Sequence, residues 1–73
     1  MNYETTKFVK LGKNISNYRK AKKLSQNELA DKLGISREHL AKIETAKRGI
    51  SLKLLFKLAE ILEIKEKDII NFD

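Results

Sequence analysis

The chain is 73 residues long, with 16 Lys and Arg against 10 Asp and Glu, a net charge of +6, a single His, and no Cys, Pro or Trp. That length holds one domain, and the absence of Cys excludes a disulfide framework and a thiolate metal site. With one histidine and no Gly-rich phosphate loop among three glycines, no nucleophile–base or metal constellation can be assembled, so no enzymatic activity, metal or cofactor is expected.

Residues 1–5 are read as a flexible N-terminal arm and residues 6–73 as a single domain. Phe8, Leu11, Ile15 and Tyr18 recur at three- and four-residue steps, which predicts a first helix with one apolar stripe. Gly12 interrupts that helix at a cost of ~1 kcal/mol relative to Ala, and close packing of another helix is its expected reason. Lys20, Lys22 and Lys23 crowd the last turn, where the helix dipole favours positive charge.

Ser25 and Glu28 form an S-x-x-E capping box ahead of Leu29, Ala30 and Leu33, which predicts a short second helix over 26–33. Gly34 follows at the position where helices end in the left-handed conformation. Ser36 then caps a third helix, about 36–45, with Leu40 and Ile43 inward. Two helices separated by Gly34, Ile35 and Ser36 have the spacing of a helix-turn-helix. A polar, basic loop over 45–50 precedes Ser51, which caps a fourth helix burying Leu54, Leu55, Leu58, Ile61 and Leu62. A fifth helix is expected around 65–71, holding Ile69 and Ile70. Lys65 is a poor cap, so this helix is expected to fray or to dock on a partner. No segment alternates with period two, so the fold is expected to be all-α, a compact five-helix domain.

Charge is distributed unevenly along this chain. Residues 1–24 carry a net +6, residues 25–50 a net +1, and residues 51–73 a net −1. An electropositive end on a small domain points to a polyanionic partner. No apolar run approaches the ~18 residues of a membrane span, and the N-terminus lacks the apolar core of a signal peptide. The protein is therefore expected in the cytoplasm, without membrane contact and without an evident small-molecule ligand.

The stretch SQNELADKLGISREHLAKIE, residues 25–44, resembles the helix-turn-helix of the phage repressor and Cro-like (XRE-type) regulators. The resemblance rests on Gln26 opening the second helix, Leu29-Ala30 within it, Leu33-Gly34-Ile35 at the turn, and Leu40, Ile43 and Glu44 in the third helix. It extends outward over roughly residues 10–70. It implies a lambda-repressor-like fold and sequence-specific binding of double-stranded DNA by a small transcriptional regulator, with the third helix in the major groove. Ser36, Arg37, Glu38 and Lys42 then stand at or near base edges. Arg37 suits guanine O6 and N7, and Glu38 suits a cytosine amino group. His39 is expected to face solvent on the same helix, within reach of a base or phosphate. Gln26 and Asn27 at the start of the second helix, with Lys20, Lys23, Lys47 and Arg48, are the expected phosphate contacts.

The same resemblance pairs Arg19 with Glu44 across the first and third helices, as a structural ion pair. Two positions depart from the family pattern. Ala46 and Glu63 stand where relatives carry Gly, so the third helix is expected to run slightly long. A pseudo-palindromic operator bound by a homodimer is expected, because one recognition helix reads only about half a turn of DNA. Phe56, Ile69 and Phe72 are the candidate dimer seam. The competing expectation is a protein-interaction module, such as an antitoxin or regulator-binding domain, with weak DNA affinity.

Overall fold

The computed structural model describes the backbone of residues 3–73 and the side chains of residues 6–73. Five helices follow in order: α1 (Tyr3–Ala21), α2 (Gln26–Leu33), α3 (Arg37–Glu44), α4 (Leu52–Leu62) and α5 (Glu66–Ile69). No strand occurs among the described residues. Among the described residues, no helix is long and apolar enough to cross a membrane. Of the residues expected as an N-terminal arm, 3–5 belong to α1. Met1 and Asn2 lie outside the described residues.

The apolar stripes of all five helices meet in one core. Ile15, Leu29, Leu40, Ile43, Leu58, Leu62 and Ile69 are its fully buried large side chains, each stabilising the fold by about 1.5–3 kcal/mol through burial. Ser25, Ser36 and Ser51 each accept a hydrogen bond from the backbone N–H three residues on, at 3.0–3.1 Å, and so start α2, α3 and α4. At α2 the box is complete. The Ser25 N–H donates to Glu28 Oε1 at 2.8 Å, and with the Ser25 hydroxyl it holds the Glu28 carboxyl below the usual range.

The first four helices share one closure. A residue with positive φ follows each, and the next N–H reaches back five residues: Leu24 to Arg19 O, Ile35 to Ala30 O, Lys47 to Lys42 O, and Ile64 to Ala59 O. Glycine takes that role only at Gly34 (φ 74°), whereas Lys23 (59°), Ala46 (65°) and Glu63 (56°) adopt it without glycine. Ala46 therefore does not prolong α3, as its missing glycine suggested. The helix stops at Glu44, and the turn imposes a left-handed conformation costing roughly 1–2 kcal/mol on a residue with a Cβ. Glu63 also pairs with the Lys22 ammonium, whose hydrogen bond and charge keep its carboxyl below the usual range.

Further expectations are corrected. The fifth helix spans only Glu66–Ile69, and Phe72 lies beyond its end. It is secured within the chain, since Asp68 Oδ2 accepts from the Lys65 N–H at 3.1 Å. At its other end Asn14 donates to Ile69 O and Asn71 O, each at 2.8 Å, and Lys10 Nζ donates to Phe72 O at 2.8 Å. Ile69 is 0% exposed and cannot form a seam; it is core, held by α1 and α4. Ile70 is instead 47% exposed, and Phe8, read as core, is 42% exposed with its ring against Gly49.

A candidate nucleic-acid interface at the junction of three helices

Gly12 is the point where α1 and α3 touch. A Cβ built there would lie 2.5 Å from Glu44 O and 2.7 Å from Ile43 O, a backbone approach that only glycine permits. About two turns further along α1, Arg19 reaches the side chain of the same Glu44. Its Nε donates to Oε2 at 2.8 Å and Nη2 to Oε1 at 3.1 Å, while Nη1 donates to Leu24 O at 2.8 Å. The two side chains are only 10% and 5% exposed. This is the pair expected from the resemblance, and it is fork-to-fork.

Gln26, the first residue of α2, completes the junction by donating from Nε2 to Glu44 Oε1 at 3.0 Å. The end of α1, the start of α2 and the end of α3 thus converge on one carboxylate. Residues distant in sequence become neighbours there. Lys20 and Lys23 follow from α1, Gln26 and Asn27 open α2, and Lys47 and Arg48 leave α3; all but the half-buried Gln26 are exposed. A row of cationic and amide donors around one junction suits a phosphate backbone better than any compact ligand.

The candidate base-reading residues stand along α3, opposite Leu40 and Ile43. Ser36, Arg37, Glu38 and Lys42 are exposed. Ser36 has its hydroxyl oxygen engaged as the cap of α3. Glu38 Oε1 and Lys42 Nζ lie 3.3 Å apart, with side chains 79% and 47% exposed, so this pair is weak and either partner is free to exchange it for a base edge. His39 is placed differently from its neighbours. It is half-buried and lines a cavity of about 250 Å³ with Leu33, Ile35, Lys53 and Leu54, on the side of α3 that meets α4. Lys57, on the same cavity wall, donates to Leu33 O at 3.4 Å. No sequence signal singled out Lys53 or Lys57, because their neighbourhood with His39 depends on how α4 packs against the α2–α3 unit.

Of the three candidate seam residues, Phe56 is 54% exposed and Phe72 is half-buried against Lys7, Phe8 and Leu11. Leu52, one turn before Phe56 on α4, is 70% exposed and shares its side of the helix. No group of three or more potential metal ligands occurs among the described residues.

The arrangement has counterparts among known proteins. A helix-turn-helix family model matches residues 15–69. An uncharacterised HTH-type transcriptional regulator of Methanocaldococcus jannaschii is 43% identical over 56 residues, covering 77% of this chain and 85% of the relative. Another, from Archaeoglobus fulgidus, is 37% identical over 59 residues, covering 81% and 83%. Among solved structures, the restriction-modification controller protein C.AhdI of Aeromonas hydrophila superposes with a TM-score of 0.80 at 35% identity, over 85% of this chain and 94% of that one. The overall architecture is therefore shared, and the chain belongs to the helix-turn-helix family of DNA-binding transcriptional regulators.

Proposed function

We propose that this chain is a repressor that binds a pseudo-palindromic operator as a homodimer, with α3 in the major groove. The observation that carries the reading is the convergence of α1, α2 and α3 on Glu44. It sets Gln26, Asn27, Lys20, Lys23, Lys47 and Arg48 around one end of α3, while Arg37, Glu38 and Lys42 stand exposed along its outer face. Backbone-positioning and base-reading groups are then separated as a groove-reading helix requires. Arg37 reads guanine, Glu38 accepts from cytosine once released from Lys42, and Ser36 serves through its hydroxyl hydrogen. His39 acts from the edge of the face. Leu52 and Phe56 supply the apolar patch between subunits, with Phe72 at its margin and Ile69 excluded. The site of action is the cytoplasm.

Selection of bound sequences from a random duplex pool at near-physiological salt tests the reading. An enriched inverted repeat with half-sites ~34 Å apart is expected. A single short motif would overturn the dimer, and no enrichment would overturn operator recognition and favour a protein partner instead.

A further inference from the structure

We infer that Glu44 is a positioning residue for DNA-backbone binding, acting through Gln26, and not solely the anionic half of a structural ion pair. This inference rests on the proposed phosphate contact of Gln26 and assigns what orients it.

A carboxylate can only accept hydrogen bonds, so Gln26 must present its nitrogen, and not its oxygen, to Glu44. One Nε2 hydrogen is committed at 3.0 Å to a carboxylate that is itself immobile, since Arg19 grips both its oxygens and its side chain is 5% exposed. A planar amide anchored at one hydrogen has its second Nε2 hydrogen and its oxygen restricted to a narrow set of directions. The second hydrogen is the one left for a phosphate. An unanchored glutamine would distribute that donor over many rotamers and lose their entropy on binding. The anchor is also an anion, which polarises the amide and strengthens its remaining N–H as a donor. Arg19 is thus the outer member of a relay: it holds Glu44, Glu44 holds Gln26, and Gln26 meets the DNA.

A double-mutant cycle on the full chain separates positioning from mere support of the fold, using a mixed-sequence duplex of about 20 base pairs as probe. Gln26→Ala is expected to weaken duplex binding about tenfold, the loss of one hydrogen bond to a charged group. It should leave the salt slope unchanged, because no cation is removed. Glu44→Gln alone is expected to weaken binding several-fold, yet in the Gln26→Ala background it should cause no further loss. The charge change of Glu44→Gln is common to both backgrounds and cancels in the comparison. Equal losses in the two backgrounds would overturn the assignment while leaving the DNA-binding reading intact. No duplex binding by the unmodified chain would overturn both.

Should Glu44→Gln fail to fold, the unmodified chain decides by nuclear magnetic resonance. The Gln26 side-chain amide is expected to show one hydrogen slowed in exchange with water before DNA is added, and a shift of the other on adding the duplex. An amide exchanging like that of an exposed glutamine, or one unmoved by the duplex, would refute the relay.

Discussion

Gly12→Ala is the sharpest test of how the interface is built. Mid-helix glycine costs about 1 kcal/mol relative to alanine, so on helix propensity alone the substitution should stabilise the protein. The structure opposes this. The new methyl would sit 2.5 Å from Glu44 O, 2.7 Å from Ile43 O and 2.9 Å from Glu44 C, all backbone atoms that no rotamer change can remove. To bring the nearest contact even to 3.0 Å, α1 and α3 must part by about half an ångström, in an interior packed as densely as a crystal.

Overpacking of this kind typically costs 1–3 kcal/mol, and an unyielding backbone partner places it at the upper end. The separation also pulls Arg19 from a nearly buried Glu44, where breaking a pair outright costs about 3–5 kcal/mol. With propensity subtracted, a net loss of roughly 2 kcal/mol is expected. For a domain this small it lowers the melting temperature by about 8–16 °C. Thermal and urea unfolding followed by circular dichroism measure it directly. A Gly12→Ala chain as stable as the unmodified one, or more so, would refute the close-approach argument and the α1–α3 geometry behind it.

Ala46→Gly is expected to stabilise the protein by roughly 0.5–1 kcal/mol, relieving a left-handed φ of 65° at some cost in unfolded-chain entropy; a loss of stability in urea unfolding would contradict the turn described. Ser25→Ala removes the α2 cap and should cost about 1 kcal/mol by the same assay. Glu28 and Glu63 both titrate lower when folded than unfolded, so each contributes stability that is present above the ordinary carboxylate pKa of 4.5 and lost as pH falls below it. The melting temperature should therefore drop from pH 6 to pH 3, and the drop should be shallower in Ser25→Ala; identical profiles would sink the capping-box contribution. Phe56→Lys places charge on the proposed seam, so sedimentation should show a shift toward monomer with the fold retained, and an unchanged species would move the seam elsewhere. Lys42→Ala should relax sequence preference, whereas Lys47→Ala should weaken all duplexes alike and lower the salt slope by about 1; the reverse pattern would exchange their roles.

Local chemistry made much of this protein legible from its residues alone. The three serine caps, the Ser25–Glu28 box, the left-handed Gly34 and the 3.6-residue apolar stripes depend on neighbours within one or two turns, so they could be read before any folding was considered. The inward placing of Leu40 and Ile43 on α3 was legible in the same way, whereas the roles of its outward residues came from the family resemblance. Helix ends without glycine were not legible. Ala46 and Glu63 have no preference for positive φ, and they adopt it because the following N–H, of Lys47 and of Ile64, is drawn back onto a carbonyl of the helix.

Tertiary structure alone decided four matters. It buried Ile69, because Asn14 and Lys10 of α1 hold the C-terminal segment by its carbonyls, an attachment across more than fifty residues with no local signature. It left Phe8 half-exposed against Gly49, where helical periodicity had placed it inside. It set the half-buried His39 in a cavity with Lys53, Leu54 and Lys57 of α4. Above all, it brought Gln26 to Glu44. Amphipathic periodicity specifies which side of a helix is buried, but not which neighbour it meets or at what register. That register came from the one place where α1 has no side chain, Gly12, whose contact with the end of α3 lets three helices share a single carboxylate.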